Sequence, residues 1–143
     1  MNTPEQNAVS SEYAVIGGLL LDNSRLSEID LDASDFMVRA NAKIFEAIID
    51  LVNDDQDADA VSVADFLEKS SAVKGGQWLQ TTVQLANNTA SAANVLTYAR
   101  IVRDESTRRK ALAVAENLKI GLREGTDAVD EAIKELMLLA APK

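Results

Sequence analysis

The string SAANVLTYARIVRDESTRRKALAVAENLKIGLRE, residues 91–124, decides the fold. It holds no proline, and its one glycine, Gly121, stands near its end. Nothing in it stops a helix, and a helix of that length would run for roughly 50 Å. A compact domain of this size has a radius of gyration of about 15 Å, so part of the element must project or bend. Its first half is charged (Arg100, Arg103, Asp104, Glu105, Arg108, Arg109, Lys110). Its second half is small and apolar (Ala111, Leu112, Ala115, Leu118, Leu122). Beyond Gly125, Thr126 is placed to cap a last helix carrying Val129, Ile133, Leu136, Met137 and Ala140 at helical spacing. A short turn between two helices makes them antiparallel neighbours. Residues 91–143 are therefore expected to form a helical hairpin, with Val129, Ile133, Leu136 and Ala140 at the 4-3-4 spacing of a helix–helix seam.

Upstream, residues 1–90 read as a globular helical subdomain. Thr3-Pro4-Glu5-Gln6 offers a cap, a proline at the first helical position and a glutamine three residues on. Val9, Tyr13, Ile16 and Leu20 recur at spacings of three and four, which predicts a helix from about Ser10 to Leu21. Gly17-Gly18 interrupts it, at a cost of up to about 1 kcal/mol each, so a neighbouring backbone is expected to approach there. A short helix near 25–29 and a polar turn over 30–35 follow. Ile44, Phe45, Ile48, Ile49 and Val52 then form a broad apolar stripe, with Lys43, Glu46 and Asp50 opposite. After an acidic run over 54–59, Ser62-Val63-Ala64-Asp65 resembles a capping box that turns Phe66 and Leu67 inward. Gly75-Gly76 breaks the chain, and Trp78, Leu79, Val83 and Leu85 predict one more helix before Asn87-Asn88-Thr89. The expected class is all-α: a compact globular bundle followed by a projecting antiparallel helical hairpin.

Composition narrows the chemistry. With 47% hydrophobic but only 4% aromatic residues, the core must rest on Leu, Ile, Val and Ala, which suits helices on helices. The chain contains no Cys and no His, so disulfides, thiolate metal sites, Ser–His pairs and Cys–His pairs are excluded. No glycine is followed by lysine, so the phosphate-cradling G-x-x-x-x-G-K-[ST] loop is missing. Asp55, Asp57 and Asp59 have the first spacings of a calcium loop, but Ala60 and Phe66 stand where it needs Gly and Glu. No catalytic, cofactor or metal residues are assigned. Nothing in the spacing favours a carboxylate pair working as acid and base.

The net charge of −9 is unevenly spread: residues 1–97 carry five basic against fifteen acidic side chains, residues 98–124 seven against four. So acidic a surface repels phosphate backbones, and strong direct nucleic-acid binding is not expected. Arg100, Arg103, Arg108 and Arg109 read either as a solvated face or as a charged face for an acidic partner, such as another copy's globular part. No apolar run reaches the ~18 residues that span a bilayer, and Met1 to Ser10 lacks a signal-peptide pattern. The expectation is a cytoplasmic protein with no membrane contact. The hairpin carries more apolar surface than two helices hide from each other. Either it folds back onto the globular part or it packs against a second chain, and the second reading is preferred.

Six strings in order then resemble one family, the N-terminal domain of bacterial and phage DnaB-type replicative helicases. Glu12-Tyr13-Ala14-Val15-Ile16-Gly17-Gly18-Leu19-Leu20-Leu21-Asp22-Asn23 is similar to its opening helix, E-x-[AS]-V-L-G-G-L-x-x-D-N. Asp35-Phe36 followed by Ile44-Phe45 resembles D-F-Y-x-x-x-H-x-x-I-F. Asp59 ahead of Val63 resembles its D-x-x-T-[LV] helix start, and Gly75-Gly76 its G-G turn. Asn88-Thr89-Ala90-Ser91-Ala92-Ala93-Asn94 and Tyr98-Ala99-Arg100-Ile101-Val102-Arg103 resemble N-T-P-S-A-A-N and Y-A-x-I-V-R. The strings cover residues 9 to about 140. The chain departs from the pattern at Ala40-Asn41, where the family has Pro-His, and at Ala90, where it has Pro. The stretch 78–86 fits only loosely.

The resemblance implies a collar. Hairpins pair two subunits into a homodimer, three pairs make a ring above the ATPase ring, and the collar recruits primase, a helicase loader or both. It implies Leu112, Leu118, Leu122, Ile133, Leu136 and Met137 as hairpin-seam or partner contacts, and Val9, Tyr13, Ile16, Ile44, Phe45, Ile48 and Phe66 as core. ATP and magnesium would belong to a motor domain that this chain lacks, because the family's linker to the motor begins near Leu138–Lys143. A second reading is a free-standing protein with the collar fold that docks on helicase, primase or loader to redirect or block replication.

Overall fold

The computed structural model describes residues 3–70 and 77–141, and among them it is all-helical. Six α-helices follow one another: α1 (Pro4–Leu21), α2 (Arg39–Asn53), α3 (Ala60–Ser70), α4 (Trp78–Asn87), α5 (Val95–Gly121) and α6 (Asp127–Ala140). Two short 3₁₀ turns, Asn23–Glu28 and Ala33–Asp35, join α1 to α2. The expected break at Gly75-Gly76 lies outside the described residues.

The first helix begins at Pro4, six residues before the expected start near Ser10. Thr3 Oγ1 accepts the Gln6 N–H and Gln6 Oε1 accepts the Thr3 N–H, so both orphan donors at the end are met. Along its first half only one side is covered, by Ala8, Ser11 and Glu12. From Val15 to Leu20 it is buried all round. That explains a correction to the expected core: Val9 is half-buried and Tyr13 is 44% exposed. Their stripe merges with the true inner face only where every side is inside. Ile16, Ile44, Phe45 and Ile48 are fully buried as expected, and Phe66 packs half-buried against them.

The two glycines of α1 let its neighbours in. A Cβ on Gly17 would lie 2.6 Å from the Leu85 carbonyl oxygen of α4, and one on Gly18 would lie 2.3 Å from Val95 Cγ2 of α5. The expected close approach is therefore real. Three polar side chains, two of them buried and Asn23 half-buried, fix the remaining connections. Glu12 accepts the N–H groups of Met37 (2.7 Å) and Val38 (3.2 Å) and the Asn41 amide (3.2 Å), so a carboxylate from α1 caps the start of α2. No proline is needed there: Ala40 lies inside the first turn, and Asn41, in the family's His position, supplies the donor. Asn23 donates to the carbonyls of Leu19 and Ala58 and accepts from Ala58 N–H, pinning the acidic loop to the end of α1. Thr82 donates to the Ala60 carbonyl at 2.7 Å, joining α4 to the start of α3.

The capping box of α3 sits three residues before the expected Ser62–Asp65. Asp59 Oδ1 accepts the Ser62 N–H, and Ser62 Oγ accepts the Asp59 N–H. The Asp59 carboxylate that the calcium-like spacing had drawn in is thus engaged with a helix end.

At 27 residues, α5 is roughly 40 Å long. It starts at Val95, later than the unbroken string suggested, because residues 91–94 form a turn in which Ser91 Oγ accepts the Ala93 N–H. Val95, Ala99 and Val102 join the core, so the head runs past the expected boundary at residue 90 and ends near Lys110. Beyond that point, among the described residues, only Val114 and Ala132 are buried. Thr126 stands at the start of α6, but its side chain makes no capping bond. The resulting antiparallel pair of helices is the arm.

Candidate interface on the helical arm

The arm closes on small residues. A Cβ on Gly121 would come within 2.6 Å of Ala128 Cβ, and Ala132 is buried a turn further along α6. Leu118, half-buried, lines the same notch with Val114, Ala128 and Ala132. This corrects the expected seam. Backbones this close leave no room for branched side chains between them, so Val129, Ile133, Leu136 and Ala140 turn outward and all four are exposed.

Of the six expected contact residues, Leu112, Leu122, Ile133, Leu136 and Met137 are exposed, Met137 at 67%. Ile120 and Leu138 belong with them, Leu138 at 77% exposure, and sequence reasoning passed over both. Leu138 falls midway between Leu136 and Ala140 of the expected seam and Ile120 midway between Leu118 and Leu122, so only the bare density of apolar residues near the arm's end could have flagged them. Fully burying one such side chain is worth about 1.5–3 kcal/mol. An arm showing this many together carries an uncovered apolar side of the kind that marks a binding surface.

The base of the arm is charged, but its charges are satisfied at home. Arg103 donates to Asp30 Oδ2 (2.8 Å) and to the Asp30 carbonyl (3.1 Å). Arg108 meets Glu105 at 2.7 Å and Glu5 at 2.6 Å. Lys110 and Ser106 both donate to buried Asp35 Oδ1, at 3.0 Å and 2.7 Å, and Arg109 reaches the Asp35 carbonyl at 3.4 Å. The expectation of a partner face at Arg100, Arg103, Arg108 and Arg109 is thus corrected for three of the four. Only Arg100 is exposed with no partner among the described residues. The physical reason is the charge imbalance itself: the basic first half of α5 lies along the acidic head of its own chain.

These contacts shift their groups. Hydrogen bonding to Glu105, with its charge and that of Glu5, holds the Arg108 guanidinium protonated well above the usual range. Glu5 is held below the ordinary carboxylate range, chiefly by a backbone N–H at the start of α1 and then by Arg108. The Ser24 hydroxyl and N–H lower Asp22. Among the described residues no cluster of His, Cys, Asp and Glu could hold a metal ion, and no helix is long and apolar enough to cross a membrane.

Comparison with known proteins agrees with this geometry. Residues 4–104 match the family model of the DnaB-like helicase N terminal domain. The replicative DNA helicase DnaB of Buchnera aphidicola subsp. Baizongia pistaciae is 29% identical over 139 residues, covering 96% of this chain and 29% of the relative. The chain therefore spans under a third of that relative's length. The crystal structure of the N-terminal domain of DnaB helicase from Mycobacterium tuberculosis superposes with a TM-score of 0.83 at 27% identity, covering 92% of this chain and 96% of that one. A DnaB-like replicative helicase, described with its interactions with primase, shares the fold at a TM-score of 0.73 and 24% identity, covering 90% of this chain and 31% of its own. With head, arm and six ordered strings all in place, the chain belongs to the DnaB-like helicase N-terminal domain family.

Proposed function

We propose that this chain is the collar of a replicative helicase. It joins subunits through the outward side of its arm and offers a docking surface to primase or a helicase loader. The observation that carries this reading is the apolar side of the arm, with Leu112, Leu122, Ile133, Leu136 and Met137 exposed beyond the reach of the head. Two copies meeting arm to arm would bury that side, and the same contact repeated in pairs suits a ring. The relative that interacts with primase has this fold, which supports primase as a partner. The unwinding reaction, with its ATP and magnesium, belongs to a motor outside the matched region, since no phosphate-cradling loop occurs in these 143 residues. Contact with DNA is left to that motor, because ten more acidic than basic groups in residues 1–97 disfavour a phosphate backbone. A free-standing regulator would dock through this same surface.

Ile133→Asp combined with Leu136→Asp tests the reading. Wild-type chain is expected to scatter light as a dimer or larger, and the double variant as a monomer with unchanged helical circular dichroism. A double variant that keeps the wild-type mass overturns the arm as the joining surface.

A further inference from the structure

Away from the arm, α1, the start of α2, α4 and the first turn of α5 enclose an open cleft of about 650 Å³. Its volume is that of a ligand site. No lysine, arginine, aspartate or glutamate lines it, although the head around it carries fifteen carboxylates. What it presents instead is the tyrosines Tyr13 and Tyr98 and the amides of Asn41, Gln84, Asn88 and Asn94. Tyr13, expected in the core, is exposed here.

The floor is built. Asn41 is 1% exposed, and its Nδ2 donates to Glu12 Oε1. Both oxygens of Glu12 already act as acceptors, for the N–H groups of Met37 and Val38, so the amide nitrogen faces Glu12 and the oxygen faces away. No donor among the described residues meets that oxygen, and Asn41 lines the cleft. The acceptor is held in one orientation by a carboxylate that itself caps α2.

We propose that this cleft binds a short, uncharged peptide segment of a partner protein, with a main-chain N–H donating to Asn41 Oδ1 and apolar side chains packing on Tyr13 and Tyr98. Charge decides the class. A phosphate or nucleic acid needs cations that the lining lacks, and a charged side chain would lose water with no counter-ion to meet it. Primary amides each offer a donor and an acceptor, the complement of a peptide main chain, while tyrosine combines apolar area with a polar tip. A second copy's arm is a poor fit: its tip carries Glu124, Asp127, Asp130 and Glu131. Tyr98 lies twelve residues before Lys110, about 18 Å along the helix, so a peptide here leaves the arm free.

The test uses the whole 143-residue chain, ¹⁵N-labelled, and an array of capped hexapeptides built from Ala, Leu, Pro, Ser and Tyr. Matched copies carry Lys or Asp at the centre. Neutral peptides are expected to shift the amide signals of Tyr13, Asn41, Gln84 and Asn94 and to leave those of α6 unmoved. The charged copies should bind at least tenfold more weakly. Tyr13→Ala and Asn94→Ala, both at exposed positions, should weaken binding tenfold or more while keeping wild-type circular dichroism and light-scattering mass. The proposal is overturned if no neutral peptide shifts those signals, if the charged copies bind equally well, or if both variants bind as wild type does. Because mass reports the arm and peptide shifts report the cleft, failure of one reading is distinguishable from failure of the other.

Discussion

Head and arm are made of the same residue types and reach opposite states. In the head, Val15, Ile16, Leu19, Ile44, Phe45 and Ile48 lie fully inside, and the buried polar side chains of Glu12 and Thr82 are bonded to α2 and α3. In the arm, leucines and isoleucines at equally regular spacing stand in solvent, and among its described residues the only buried apolar ones are Val114 and Ala132. The difference is geometric. Four helical segments packed around α1 (α2, α4, α5 and the turn Asn23–Glu28) can enclose side chains on every side, whereas two helices leave most of each surface open. The head closes its core within one chain, and the arm leaves its apolar outer side uncovered.

The comparison can be broken most forcefully at Phe45. Truncating it to alanine should cost the head about 3–5 kcal/mol, read as a lower midpoint in urea. Met137→Ala on the arm should leave the monomer's midpoint within about 0.5 kcal/mol of wild type. Equal losses would mean that the arm is packed after all. Next in size is Glu12→Ala, which strands two backbone N–H groups and the Asn41 amide and should cost about 3 kcal/mol. Hydrogen exchange should report the first turn of α2 opening before the rest.

A pair of glycines sharpens the contrast. Gly17→Ala drives a methyl against the fixed Leu85 carbonyl and Thr89, and should destabilise the head by about 1–3 kcal/mol. Gly121→Ala meets only Ala128. It should splay the tip of the arm and lower the light-scattering mass at a given concentration while sparing the urea midpoint.

The smallest effect is expected at the clasp between them. Folding lowers the Glu5 pKa, so the stability Glu5 contributes is present above its ordinary carboxylate range and is lost as acid titrates the folded group. Melting temperatures measured between pH 7 and pH 3 should fall slightly less in Glu5→Gln than in wild type. An identical pH dependence would show that the Glu5–Arg108 pair contributes nothing, as exposed pairs often do.

Much of this was readable beforehand, for identifiable reasons. The stripe of α2 was legible because Lys43, Glu46 and Asp50 mark its wet side, and the close approach at Gly17-Gly18 of α1 because paired glycines inside a helix need a close neighbour. The start of α3 was misplaced because Asp59-x-x-Ser62 and Ser62-x-x-Asp65 are both cap-like, and only the direction of the incoming loop separates them. The apolar side of the arm was found from spacing, while its true seam was not. Alanine and glycine carry no periodic signal, yet they allow α5 and α6 to touch.

The amino-acid order alone determined that the chain is helical, where most helices lie, that hydrolytic chemistry by a phosphate loop is absent, and that the last third bears excess apolar surface. Those properties follow from local periodicity and from residue types present or missing, which need no partner in space. Tertiary structure alone decided that Arg103, Arg108 and Arg109 are bound to their own head, that Tyr13 borders a cleft, and that Ile133, Leu136 and Leu138 of α6 face outward. Each of these depends on what stands opposite a side chain across a fold, and residues as distant as Glu5 and Arg108 meet only once the helices have packed.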